Sequence, residues 1–292
     1  MEKNDEKAQQ QGESVSKFFP LRVIPWFTDG CSTFLNNLFK WLPVTLSKPL
    51  RALEFGGGNS TFYLLAKRVK VVTVESDKDY IQFICNVARN VGFKVAIVSP
   101  AEYSAALSDA HELVIIQAKH FSEAKGLLLD YRWEIVINDG IARKEVLETI
   151  SEQSIDAIVV LDNVEYCANW GRLDRSSAKP DLIKVYRAVL RSKEWSHYIF
   201  EQPEGREGHG APDKTGWEAP HRWVSAVLWP KAHLLNELMV SHIGLPVVNL
   251  IGAGDSDMLS LTDRCPFDWG KMVWTKDRFP PELDLKLERR FE

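Results

Sequence analysis

From Arg51 onward, short apolar runs alternate with longer amphipathic ones. The runs at 51–55, 70–75, 93–98, 134–138 and 155–161 have the length and composition of buried strands. The stretches at 60–68, 77–91, 121–130, 143–152 and 180–192 carry helical spacing of apolar positions. Such alternation predicts a parallel sheet covered by helices on both faces. Residues 101–118 fit less simply: Ala101 to Leu107 read as helical, and Leu113-Val114-Ile115-Ile116 as a short extra strand. After 195 the alternation stops. Ser196 to Glu201 and Arg222 to Trp229 both read as strands, with no helix between them, so they should pair antiparallel. The expected fold class is α/β: a doubly wound, mostly parallel seven-stranded sheet ending in an antiparallel strand pair.

The flanks have a different character. Residues 1–17 are polar and charged and read as a disordered lead. Residues 18–230 hold the sheet-forming domain, opening with an aromatic segment in which Asp29 or Ser32 caps a helix carrying Phe34, Leu35, Leu38, Phe39 and Trp41. That helix is expected to pack beside the first strand. Residues 231–292 form a C-terminal extension; wrapping the sheet, closing as a lid and making a homo-oligomer contact are alternative roles for it.

Composition narrows the functional classes. The chain has 292 residues, 45% of them hydrophobic, enough for one large core with decoration, and a net charge of -4. That charge gives no electrostatic reason to expect a nucleic-acid partner. Cys31, Cys85, Cys167 and Cys265 are scattered and form no CxxC pair, which argues against a zinc cluster or disulfide framework. No apolar run is long enough to span a bilayer, and the start is not signal-like, so no membrane partner is expected and a cytoplasmic setting is.

The chemistry begins at the end of the first apolar run, which reads Ala-Leu-Glu-Phe-Gly-Gly-Gly-Asn-Ser-Thr over residues 52–61. Glu54 closes the strand, and Gly56, Gly57 and Gly58 form a turn. Asn59, Ser60 and Thr61 then open a helix. Glycines let backbone approach a ligand, and a helix start offers free N–H groups. Glu75 ends the second strand, about twenty residues after Glu54, the spacing of an acid that holds ribose hydroxyls. Together these features describe a nucleotide-type site. A dinucleotide fits poorly because Thr61 stands where G-x-G-x-x-G needs its third glycine, and no Gly-Lys-Ser/Thr follows to make a Walker loop.

On these residues the chain, from about Arg51 to Trp229, resembles the class I S-adenosylmethionine-dependent methyltransferases, whose fold is Rossmann-like. The resemblance matches their first-strand acid and Gly-x-Gly turn to Glu54, Gly56 and Gly58, and their ribose-binding acid to Glu75. It implies S-adenosylmethionine as cofactor, its methionine part lying along the glycine turn near Asn59 to Thr61. Its adenine would lie near Ser76 and the stretch from Ser99 to Glu102.

A second constellation comprises Ile137-Asn138-Asp139-Gly140 and Leu161-Asp162-Asn163. Both follow apolar strands, so both should emerge at the carboxyl edge of the sheet, where open α/β folds bind ligands. Asp139, Asp162 and the Asn163 amide oxygen form a hard oxygen set suited to magnesium. Turn-capping and backbone bonding are the alternative roles. The arrangement resembles the metal site of catechol-type and macrolide-sugar O-methyltransferases. That resemblance implies Mg2+ assistance and catalytic roles for Asp139, Lys144 and Asp162; Lys144, or Arg143, would act as base or electrostatic partner. Lys144 stands further from the acid than the lysine of that family does.

Two other groups of residues bear on an acceptor. The 202–221 stretch, with four glycines and three prolines, carries His209, Trp217 and His221, and Tyr166, Trp170 and Arg172 follow the Asp-Asn pair. The expected activity is methyl transfer to a small-molecule acceptor, with a hydroxyl oxygen preferred. The alternatives are a non-catalytic methyltransferase-like binding module and a nicotinamide-dependent oxidoreductase.

Overall fold

Residues Arg51–Phe55 (β1), Lys70–Glu75 (β2), Ile135–Asn138 (β5) and Ile158–Leu161 (β6) are mostly apolar and nearly all buried, as central strands of a two-faced sheet must be. The structure is a computed structural model that describes residues 25, 27–103, 110–140, 142–162, 184–185, 188–189, 192, 194–202 and 223–235. Val95–Val98 (β3), Leu113–Gln117 (β4), Trp195–Gln202 (β7) and Trp223–Pro230 (β8) complete one sheet of eight strands in the order β3-β4-β2-β1-β5-β6-β8-β7. The strands from β3 to β6 run parallel, while β8 pairs antiparallel with both β6 and β7. This is the Rossmann-like, doubly wound sheet with an antiparallel finish that the sequence predicts, one strand wider.

The additional strand is β4. Its Leu-Val-Ile-Ile run is buried on both faces and sits between β2 and β3. Val95 to Val98 are all half-exposed, and β3 is consequently the edge. Both runs hold four consecutive apolar residues, and the bulkier Leu-Val-Ile-Ile takes the interior place, where it can be buried on both faces.

Five helices cover the sheet among the described residues: Asp29–Leu46 (α1), Asn59–Ala66 (α2), Lys78–Asn90 (α3), Phe121–Asp130 (α4) and Arg143–Glu152 (α5). One core lies under α1, α2 and α3, where Phe34, Leu38, Leu64, Ile81 and Ile84 meet Ala52, Val71 and Ile137. The other lies under α4 and α5, where Leu127, Leu128, Val146 and Ile150 meet Leu53, Phe55 and Val136.

Two expectations about α1 need correction. Its N-cap is Thr28, not Asp29 or Ser32: the Thr28 side chain accepts from the Cys31 N–H, and Asp29 and Ser32 fall inside the first turn. The helix also packs on the closing pair β7 and β8 instead of beside β1. Phe34 reaches the rings of Tyr198, Phe200 and Trp229 at 5.5, 5.8 and 6.3 Å between centroids. Three aromatic side chains provide that end of the sheet with a broad apolar surface for the helix.

The lead at 1–17, the 202–221 stretch beyond Gln202, and the extension past Leu235 lie outside the described residues. So do Asn163, Tyr166, Trp170, Arg172, His209, Trp217 and His221, and most of the expected helices at 101–107 and 180–192. No helix among the described residues is long and apolar enough to cross a membrane.

Candidate active site

Side chains on a strand alternate between faces, so Glu54 points to the side of its second neighbour Ala52, beneath α2 and α3. Thr73, Glu75, Asp139 and Asp162 follow the same parity. The pairing register carries Phe55 opposite Val74 and Asn138, and Asn138 opposite Leu161. Ladder bonds continue one step beyond, from the Gly56 N–H to Val74 O at 3.0 Å and from the Asp139 N–H to Phe55 O at 3.0 Å. Glu75, Gly56, Asp139 and Asp162 therefore form one row across the carboxyl edge, with Glu54 one layer below. The sequence expectation that these acids share an edge holds in the fold.

The glycine turn is built from inside. Gly58 N–H donates to the Thr61 hydroxyl at 2.9 Å, and that hydroxyl donates to Glu54 Oε2 at 2.5 Å. Glu54 is fully buried, and burial pushes its carboxyl up to about 7, with nearby Asp139 pushing the same way. The hydroxyls of Ser60, Thr61 and Thr73 pull it back down. Thr61 thus replaces the dinucleotide pattern's third glycine with a side chain that ties the turn to the strand below. Ser60 and Thr61 are buried inward, while Asn59 keeps some surface at the start of α2.

Each glycine has its own reason. Gly56 has a left-handed φ of +95°, and a Cβ there would meet Gly140 Cα at 2.8 Å. At Gly57 a Cβ would meet Ile84 Cδ1 at 2.9 Å, so that glycine serves the packing of α3. Above Gly58 the space is open apart from the Tyr80 hydroxyl, 3.3 Å from where a Cβ would stand. Gly58 is itself buried, and it is the glycine of this turn with the most room for a side chain.

Glu75 is oriented by its own turn. Its Oε1 accepts from the Ser76 N–H at 2.6 Å, the Asp77 N–H at 3.1 Å and the Ser76 hydroxyl at 3.3 Å. Oε2 has no hydrogen bond among the described residues and remains for a ligand. Ala118, leaving β4, donates to Glu75 O at 3.0 Å. The insertion of β4 therefore makes residues 118–121 the wall next to Glu75. Ser99 to Glu102, expected near an adenine, lie one strand further out, where the Ser99 hydroxyl bonds Glu102 at 2.7 Å. The apolar run at 113–116 was the available signal for that wall.

At the other end of the row, Arg143 grips Asp139. Its Nη2 lies 2.5 Å from Asp139 Oδ1 and 3.1 Å from Asp139 O. Burial raises the Asp139 carboxyl, and Arg143 and the neighbouring Asp162 carboxyl counteract that. Asn138 donates from Nδ2 to Arg143 O at 2.9 Å, holding the start of α5 against the strand. Lys144 turns to Glu148 at 3.8 Å on the exposed face of α5. Of the two basic candidates, Arg143 reaches the acid; it opens α5, four residues after Asp139.

Asp162 is 4% exposed, and its Oδ1 accepts from the Ser225 hydroxyl at 3.1 Å. Ser225 Oγ in turn accepts from the Thr28 N–H at 3.0 Å. This chain joins the end of β6, the strand β8 and the N-cap of α1. Sequence reasoning missed Ser225, which stands in the second closing strand with no motif around it.

The two Asp side chains offer converging hard oxygens, the chemistry a divalent ion needs. Arg143 already supplies positive charge to Asp139, and Ser225 already satisfies Asp162. Among the described residues no group of three His, Cys, Asp or Glu side chains is arranged for a metal.

No protein-family model matches the chain, and no curated protein matches it in sequence. Its structure is similar to that of the O-methyltransferase from Bacillus cereus in complex with SAH, at 14% identity and a TM-score of 0.42, covering 68% of this chain and 81% of that one. Cofactor-bound Rv0187 from MTB is 19% identical with a TM-score of 0.42, over 72% of this chain and 83% of the other. SAH-bound Podospora anserina methyltransferase PaMTH1 is 15% identical with a TM-score of 0.37, over 65% and 77% respectively. At such identities and scores no chemistry transfers, and the functional reading rests on the chain's own residues.

Proposed function

We propose that this chain is an S-adenosylmethionine-dependent methyltransferase acting on a small-molecule acceptor, preferentially at a hydroxyl oxygen. The observation that carries this is the acid row beside the turn. Glu75 keeps one carboxylate oxygen free for ribose hydroxyls, and Gly58 leaves open backbone for the methionine end. Asp139 with Arg143 stands next along the edge, where an acceptor would meet the methyl group. The antiparallel finish and Thr61 count against a nicotinamide cofactor.

Methyl transfer from a sulfonium forms a C–O bond as the C–S bond breaks, and the hydroxyl must lose its proton. Asp139 is the nearest candidate to receive it, and Arg143 stabilises the developing charge. An ion held by Asp139, Asp162 and Asn163 would lower the pKa of a coordinated hydroxyl. Arg143 and Ser225 already engage both acids, and the proton transfer to Asp139 needs no ion. Activity that survives excess chelator would remove magnesium from the proposal and leave the cofactor reading standing.

Titration calorimetry tests the cofactor directly. S-adenosylmethionine and its thioether product should bind while NAD and NADH do not, and Glu75→Ala should weaken both former ligands by about 10- to 100-fold, the scale of a lost charge-assisted hydrogen bond. Binding of a nicotinamide dinucleotide in preference would refute the proposal.

A further inference from the structure

Tyr80 belongs to no motif, yet the fold sets it between the glycine turn and the turn that orients Glu75. Asp77 caps α3 by accepting from the N–H groups of Asp79 and Tyr80, at 2.9 and 3.0 Å. The Asp77 N–H itself donates to Glu75 Oε1 at 3.1 Å. One turn therefore fixes both the ribose-side acid and the tyrosine. At its other end the phenol hydroxyl is the one heavy atom near the open side of Gly58. Phe83 neighbours the ring, with centroids 6.2 Å apart and planes inclined at 29°.

The ring thus bridges the glycine turn and Glu75. On the reading of the site given above, a cofactor lying with its methionine end on the turn and its ribose on Glu75 must pass the segment joining them across Tyr80. That segment carries the sulfonium. The electrostatic setting agrees: burial first and Glu75 next push the Tyr80 hydroxyl up to about 12, and the Glu75 carboxylate is the negative group beside it. An electron-rich aromatic face in a negative field favours a cation over a neutral ligand of the same shape.

We propose that Tyr80 contacts the sulfonium-bearing segment of S-adenosylmethionine and makes the site prefer the charged donor to its neutral thioether product. The inference rests on the methyltransferase reading and adds to it a residue that sets donor-against-product selectivity.

The test is calorimetric binding of S-adenosylmethionine and S-adenosylhomocysteine to the full chain and to Y80F, Y80L and E75A, with circular dichroism melts alongside. Y80L should lose about tenfold in affinity for the donor and less than about twofold for the product. Y80F keeps the ring and should keep the selectivity ratio within about threefold. E75A should weaken both ligands alike, since both carry the ribose. Should Y80L fail to fold, Y80M supplies the non-aromatic side chain. Equal loss for both ligands, or no loss, in a folded non-aromatic variant would overturn the Tyr80 assignment alone. If the unaltered chain binds neither ligand, the methyltransferase reading itself falls.

Discussion

Gly56 and Gly140 pack backbone against backbone. A Cβ on Gly56 would stand 2.8 Å from Gly140 Cα, and one on Gly140 would stand 2.8 Å from both the carbonyl carbon and oxygen of Phe55. The turn that follows β1 and the loop that carries Asp139 are therefore one unit, and neither can shift to admit a methyl group without moving the other.

Gly140→Ala should accordingly cost about 1–3 kcal/mol of stability in denaturant unfolding, the usual range for overpacking. Cofactor affinity should fall with it. Gly58→Ala meets only a tyrosine hydroxyl at 3.3 Å and should be the milder of the two in unfolding. Equal stability losses would show that the interlock is not what constrains the turn.

Arg143 and Lys144 are adjacent in sequence and differ in role. Arg143→Met leaves the Asp139 carboxylate without its cation and should lower the rate of methyl transfer by about 100-fold or more. Lys144→Met removes only an exposed pair with Glu148 and should leave the rate within about twofold. A larger loss for the lysine variant in single-turnover assays would reverse the assignment.

Glu54 makes stability depend on pH in an uncommon direction for a carboxyl. Its folded value near 7 lies above its ordinary 4.5, so the folded state holds the proton more tightly than the unfolded one. That contribution is complete below 4.5 and is lost as pH rises through 7, on the order of 3 kcal/mol over the interval. Glu54→Gln keeps an acceptor for Thr61 and removes the titration. Melting curves from pH 4 to 8 should show the variant gaining on the unaltered chain as pH rises.

His197 works the other way. It is buried on β7, and burial lowers its ring to about 4. The unfolded state takes up a proton near 6.5 that the folded state refuses until about 4, so stability falls as pH drops across that window. His197→Gln should flatten the acid limb of the melting profile by an amount on the order of 3 kcal/mol. An unchanged limb would mean the ring escapes burial when it is charged.

Much of this was legible in the chain, for definite reasons. Glu54, Glu75, Asp139 and Asp162 each end an apolar run, and parallel strands bring such ends to one edge whatever their order. What stayed hidden depended on which element packs where. An apolar stripe on α1 does not name its partner, and the helix chose the aromatic closing pair. The run at 113–116 announced a strand but not that it would displace β3 to the edge, so the wall beside Glu75 moved to residues 118–121. The motif places Thr61 toward a ligand, whereas its hydroxyl spans Gly58 and Glu54. That Arg143 and not Lys144 meets Asp139 depends on the loop between β5 and α5, where Asn138 holds the Arg143 carbonyl.

The bond sequence from the Thr28 N–H through Ser225 to Asp162 has a mechanical consequence. The first turn of α1 is a strut for an acid on the far side of the closing strand. Displacing the start of that helix would break the support of Ser225, and through it slacken Asp162. The seating of the N-terminal helix thus bears on the geometry at the Asp162 end of the acid row.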